Sequence, residues 1–224
     1  MIPTHEQLIN SPRETSAEYH ILSARSWRQT GESKRLHTPL VYAAFEYRCA
    51  IERTAVELYA TMRDDIEGAD DMSKIGSFGA LLSRIREIGG GNEKLLQRTL
   101  IFNRIVAEFA PLEKPLAMPS PSKLHDFWTK LSAYCHRQLH PGKTWELPEW
   151  VERGYGLLDE VDCYLVFLYV EHSFGAVPTS SLQPEVKQTK IDFLTERIDE
   201  NQLRLRLKIM APVLEDRLKS KRAT

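Results

Sequence analysis

Apolar residues recur at spacings of three and four along almost the whole chain, and no stretch sustains a period of two. The helical repeat gathers such residues on one face, whereas a half-buried strand needs strict alternation. The sequence therefore predicts an all-α fold. The clearest segment follows Pro39: in LVYAAFEYRCAIERTAVELYATMR, Leu40, Ala44, Tyr47, Ile51, Ala55, Leu58 and Met62 form one stripe, with Glu46, Arg53 and Arg63 away from it. Residues 14 to 29 predict a helix upstream. Ser73 is a candidate cap for a segment sharing Ile75, Phe78, Leu82, Ile85 and Ile88 on one face, and GGGN at Gly89 to Asn92 stops it. Asn92 then caps a helix carrying Leu95, Leu96, Leu100, Ile101, Ile105 and Phe109.

The proline-rich APLEKPLAMPSPS cannot continue a helical ladder and reads as an extended connector. Ser122 opens the next helix, and a long one runs from Pro148, where proline suits a first turn, to Phe174. These boundaries predict an N-terminal helical extension over 1–38, a bundle over 39–174, a linker over 175–185, and a C-terminal amphipathic basic helix over 186–224. In that last segment Ile191, Leu194, Ile198, Leu203, Leu207, Met210 and Leu214 keep a 3-4 rhythm, and Pro212 is expected to kink it. A long apolar stripe must be buried somewhere, either back on the bundle or on another chain.

With 42% apolar and 27% charged residues, the 224-residue chain is ordinary for a globular protein able to bury a sizeable core. Thirty basic residues against 31 acidic ones give a net charge of -1, so no global positive field advertises nucleic acid. Cys49, Cys135 and Cys163 are odd in number and widely spaced, which argues against a disulfide framework or a zinc ribbon and points to a reducing cytoplasm. The first residues lack a secretory pattern, and the most apolar run, Cys163 to Val170, is far short of a membrane span. No membrane association is expected. No phosphate-binding glycine-lysine loop, nucleophile elbow, dinucleotide fingerprint or His-Glu-x-x-His motif is present, so no cofactor is indicated.

Chemistry-bearing residues concentrate in WTKLSAYCHRQLHPG, residues 128 to 142. His136 and His140 stand four apart, a spacing that brings both imidazoles to one helical face. Three readings follow. A shared metal ion would need further ligands, for which His125, Asp126 and Cys135 lie nearby in sequence. Histidines with Arg137 in a last turn also simply complement the negative end of a helix dipole.

The third reading is a resemblance. FEYRCAIERTAVEL and KLSAYCHRQLHPG resemble the two central helices of HEPN-type domains, small all-α antiparallel bundles: Leu131, Ser132, Tyr134 and His136 fit a Leu-Ser-x-Tyr-x-His pattern, and His140-Pro141 a His-Pro step. The resemblance covers roughly residues 38 to 174. It implies a prokaryotic, dimerising module of a defence, toxin-antitoxin or mobile-element system. Active members of that family cleave RNA without metal, using an arginine and a downstream histidine with four to six residues between them. Here no arginine stands in that window before His136 or His140; Arg13 and His20 have a suitable spacing but lie outside the resemblance.

Two expectations result. The first is a non-catalytic or weakly catalytic interaction module, assembling as a homo-oligomer or with a protein partner through its C-terminal helix. The alternative is a metal-independent ribonuclease in which His136 and His140 move protons while Arg137 or Lys130 stabilises phosphorane charge, Arg48 or Arg53 being able to reach in from the neighbouring helix. RNA contact would involve the basic end, Arg204, Arg206, Lys208, Lys219, Lys221 and Arg222, although no aromatic side chains are interleaved there for base stacking.

Overall fold

The stripe that begins at Leu40 is the axis of the protein. In a computed structural model, which describes residues 16–63, 75–88, 94–109, 114–135, 148–174 and 182–222, the elements are α1 (Ala17–Glu32), α2 (His37–Arg63), α3 (Phe78–Ile88), α4 (Lys94–Phe109), β1 (Leu116–Ala117), α5 (Pro121–Cys135), α6 (Pro148–Val166), a π-turn (Phe167–Glu171), β2 (Ser173–Phe174), α7 (Pro184–Leu194) and α8 (Glu200–Arg222). The described residues are all-α apart from a two-residue parallel ladder, Leu116 with Ser173 and Ala117 with Phe174. All seven residues of the α2 stripe are buried. No described helix is long and apolar enough to cross a membrane.

Side-chain pairings give the directions. Trp27 stacks on Tyr42 and His20 bonds Glu46, so α1 runs antiparallel to α2. Tyr47 bonds Asp162 and Thr54 bonds Tyr169 at the same sequence offset, so α6 and its π-turn run parallel to α2. On the opposite flank Trp128 bonds Glu52, and α5 lies between α2 and α6. The capping hydroxyl of Ser16 accepts from the Tyr19 amide and starts α1. That helix buries little beyond Ala17, Ile21, Ala24 and Gly31, so its attachment is largely polar: Arg25 grips both Asp162 oxygens at 2.7 and 3.0 Å, and Arg28 pairs with Asp159.

The expected single helix over 186–224 is two helices. Glu196 sits at φ 64, a left-handed conformation that ends α7, and the chain restarts at a capping box in which the Gln202 amide donates to Asp199 Oδ1 while Gln202 Oε1 accepts from the Asp199 amide. The break resets the register. The buried face of α7 is therefore Val186, Thr189, Lys190 and Phe193, with Ile191 and Leu194 only half-buried. Val186, Phe193, Ile198, Leu203 and Leu207 pack with Phe102 and Ile105 of α4, forming a second core beside the main one. The terminal segment thus folds back on its own chain, and α8 remains helical through Pro212. The Ser73 cap, the GGGN stop and most of the 175–185 linker fall outside the described residues.

Burial pushes the Asp162 carboxyl upward, but hydrogen bonds from Arg25 and Tyr47 outweigh it and hold the group below the usual aspartate range. A depressed folded-state value contributes stability above the unfolded value, near pH 4, that is lost as pH falls through the folded value. Asp162→Asn should destabilise by about 1–2 kcal/mol at neutral pH, allowing for hydration of the partly open Arg25. The gap to the native chain in thermal melts should close as the buffer is acidified below the usual aspartate range. Gly154→Ala should cost about 1–3 kcal/mol by overpacking, since a Cβ there would lie 2.7 Å from Leu40 Cδ2 and 2.8 Å from Tyr134 Cε1; chemical denaturation measures it.

Candidate functional site

The α2–α5 contact assembles the chemistry that the sequence concentrates near residue 135. Arg48 and Glu52 lie one turn apart on α2, and Arg48 Nε donates to Glu52 Oε1 at 3.1 Å. The same oxygen accepts from Trp128 Nε1 at 2.7 Å, while the Arg48 guanidinium lies 4.8 Å from the Trp128 ring centroid. Phe78 of α3 stacks on that indole with centroids 5.0 Å apart. Arg48 also reaches the Cys135 thiol at the last turn of α5. One arginine thereby bridges a carboxylate and an indole, and its charge opposes the rise that burial causes at the Cys135 thiol.

Burial raises both nearby thiols, Cys49 to about 11, with Glu52 and Glu46 adding to the effect. Cys135 is raised by burial, partly opposed by Arg48. Both are protonated at neutral pH and therefore poor nucleophiles. A guanidinium already neutralised by a carboxylate is likewise a weak clamp for a phosphate, since its positive charge is locally balanced.

The remaining candidates are placed as follows. His136, Arg137 and His140 lie outside the described residues. Lys130 projects into solvent from α5 and pairs with Asp126 at 2.8 Å, a hydrogen bond that raises its pKa. Arg53 does not join Arg48: it turns to Glu57, which also accepts a 2.8 Å bond from Tyr169 and is raised by burial against these opposing contacts. His20 of the Arg13/His20 pair bonds Glu46, while Arg13 is outside the described residues. His125 and Asp126 are exposed on α5, and among the described residues no group of three or more His, Cys, Asp or Glu is placed to hold a metal ion.

Two arginines of the α8 basic run are used within the chain. Arg204 forks onto Glu108 at 3.1 and 3.2 Å and approaches Glu200, and Arg206 pairs with Asp192 at 2.7 Å. Lys208 is exposed, and the side chains of Lys219, Lys221 and Arg222 lie outside the described set. An open cleft of roughly 880 Å³ that sequence reasoning missed lies where α1 turns into α2, lined by Lys34, Arg35 and His37 with Pro148, Val151 and Arg153 of α6. Its cationic character is partial, because Arg35 pairs with Glu152 at 2.9 Å. The Arg48–Glu52 spacing was the one sequence signal for the bridging cluster; Trp128 meets it only through the fold.

Thiol chemistry checks this geometry. At pH 8, iodoacetamide should modify exposed Cys163 first, with Cys49 and Cys135 protected until denaturant is added; mass spectrometry of the digested protein reads the order. No family model, curated protein or solved structure matches this chain.

Proposed function

We propose that this chain is a HEPN-like helical interaction and dimerisation module, non-catalytic or weakly catalytic, of a prokaryotic defence, toxin-antitoxin or mobile-element system. The observation that carries the assembly role is on α8. Its Leu203 and Leu207 are buried against α4, while Leu205 and Ile209, one turn apart on the opposite side, stand 59% and 67% exposed. A helix whose seam is already satisfied within its own chain, yet keeps a second apolar ridge outward, is shaped to meet a partner.

The weak catalytic capacity follows from the state of the cations. Lys130, Arg48 and Arg53, the groups that would replace the missing arginine, are each ion-paired with a carboxylate. The family context rests on the resemblance of the α2 and α5 sequences, and the antiparallel packing of those two helices supports it. The alternative, a metal-independent ribonuclease centred on His136 and His140, draws support from one contact, the reach of Arg48 to the residue immediately before His136.

Labelled single-stranded RNA incubated with the full chain in EDTA separates the two. The expected outcome is intact RNA at low and high salt, unchanged by His136→Ala, Arg137→Ala or His140→Ala. EDTA-resistant cleavage abolished by His136→Ala or His140→Ala would establish the ribonuclease instead.

A further inference from the structure

The outer face of the α1–α2 hairpin is apolar over two helices at once. Tyr19, Leu22 and Trp27 of α1 and Tyr42 and Phe45 of α2 are 43%, 65%, 39%, 48% and 48% exposed. Trp27 and Tyr42 stack across the groove between the helices with centroids 4.7 Å apart, so the two sets belong to one surface. The positions around them include Ser23, Ser26, Thr30 and Thr38, with exposed Glu18 at the rim one turn before Leu22. The cations within residues 19 to 30 are already paired: Arg25, which stays 39% exposed, with Asp162 and Arg28 with Asp159 of α6. At the far end His20 and Glu46 bond to each other at 2.7 Å, both about one-fifth exposed.

We propose that a second copy of this chain seats on this crest, forming a two-fold symmetric homodimer through Tyr19, Leu22, Trp27, Tyr42 and Phe45. This inference rests on the reading of the chain as an assembly module and names the surface and the partner. Charge depletion with aromatic enrichment is the composition of an interface centre. Cations already paired with carboxylates give an anionic lipid headgroup or RNA backbone little to hold, whereas a crest that is apolar at its centre is complementary to itself, as an isologous contact requires. The area lies at the low end of what a stable dimer needs. Side chains of this size, about half exposed, leave roughly 400–500 Å² uncovered per copy. Two copies with their serine and threonine rim therefore approach the ~1,200 Å² of the smaller stable interfaces.

Sedimentation equilibrium of the full chain from about 1 to 100 µM tests the proposal. The expected mass is twice the 25.8 kDa of the monomer. Phe45→Glu and Leu22→Glu, both at exposed positions where the far-UV circular dichroism should stay unchanged, should each weaken association at least tenfold. Ser83→Glu, at an exposed position of α3, should leave the dimer intact, and the double variant Leu205→Glu/Ile209→Glu tests the α8 ridge as the competing interface. A chain that stays monomeric at 100 µM would overturn the proposal, as would a dimer indifferent to both crest variants or one that dissociates only when α8 is changed. The last result would still leave the module reading standing, with α8 as its interface.

Discussion

The carboxylate of Asp162 is the point on which three helices agree. Tyr47, fully buried at the centre of α2, donates to Oδ1 at 2.7 Å, and Arg25 of α1 closes on both oxygens from the other side. A buried phenol needs an acceptor, and a carboxylate held away from water needs donors; each group here meets the requirement of the other. Small residues make the arrangement necessary. The inner face of α1 is mostly alanine and glycine, which lets the helix approach closely but leaves little apolar area to hold it. Fixing α1 on α6 also aligns α2 with α6 at one constant offset, from Tyr47–Asp162 to Thr54–Tyr169. The π-turn after Val166 maintains that alignment to its end, carrying Tyr169 inward to Thr54 and Glu57.

A second polar clasp does comparable work for the C-terminal helices. Arg98 of α4 donates through Nε to the Phe193 carbonyl at 2.8 Å and through Nη2 to the Ile198 carbonyl at 3.2 Å, with its guanidinium 4.1 Å from the Phe193 ring centroid. Those two carbonyls flank the break between α7 and α8, where helix ends leave acceptors unsatisfied. One arginine therefore holds the corner that turns α8 back along α4. The pairs Arg104–Glu200 and Arg204–Glu108 then set α8 parallel to α4.

Much of this architecture was legible in the sequence because it depends on local periodicity. The stripe from Leu40 to Met62, the proline at the start of α6 and the helical character of α4 and α5 need no distant partner to be recognised. The α7–α8 corner was missed although its signal is local: Asp199-x-x-Gln202 is a capping-box pattern, overshadowed by an apolar rhythm that seemed to continue from Ile191 to Leu214. Lys190 misleads in another way. Its charge suggests a solvent-facing position, yet it is 1% exposed, with its ammonium 5.7 Å from the Phe102 ring centroid. At the candidate site, Arg48 and Glu52 are four apart in the sequence, but nothing local joins them to Trp128 and Cys135, some 80 residues away. Sequence spacing assigns types of residue to a helix face; only packing decides which opposing face they meet.

The cations of α8 show how this distinction alters a functional argument. As a string, RLRLK followed by DRLKSKR reads as a basic end available to phosphate. In the fold, Arg204 and Arg206 face carboxylates of α4 and α7, and Asp192 is held below its usual range by Arg206 first and by Gln188 and Arg197 besides. Exposed pairs of this kind contribute little each and are screened by salt, whereas the apolar cluster of Phe102, Ile105, Phe193, Leu203 and Leu207 is not. Raising the ionic strength therefore acts first on how firmly α8 is oriented. Any RNA must also compete with these internal carboxylates for the arginines, which weakens phosphate contact before sequence or shape enters. The apolar groups left outward on α8, Leu205 and Ile209, have no such internal competitor.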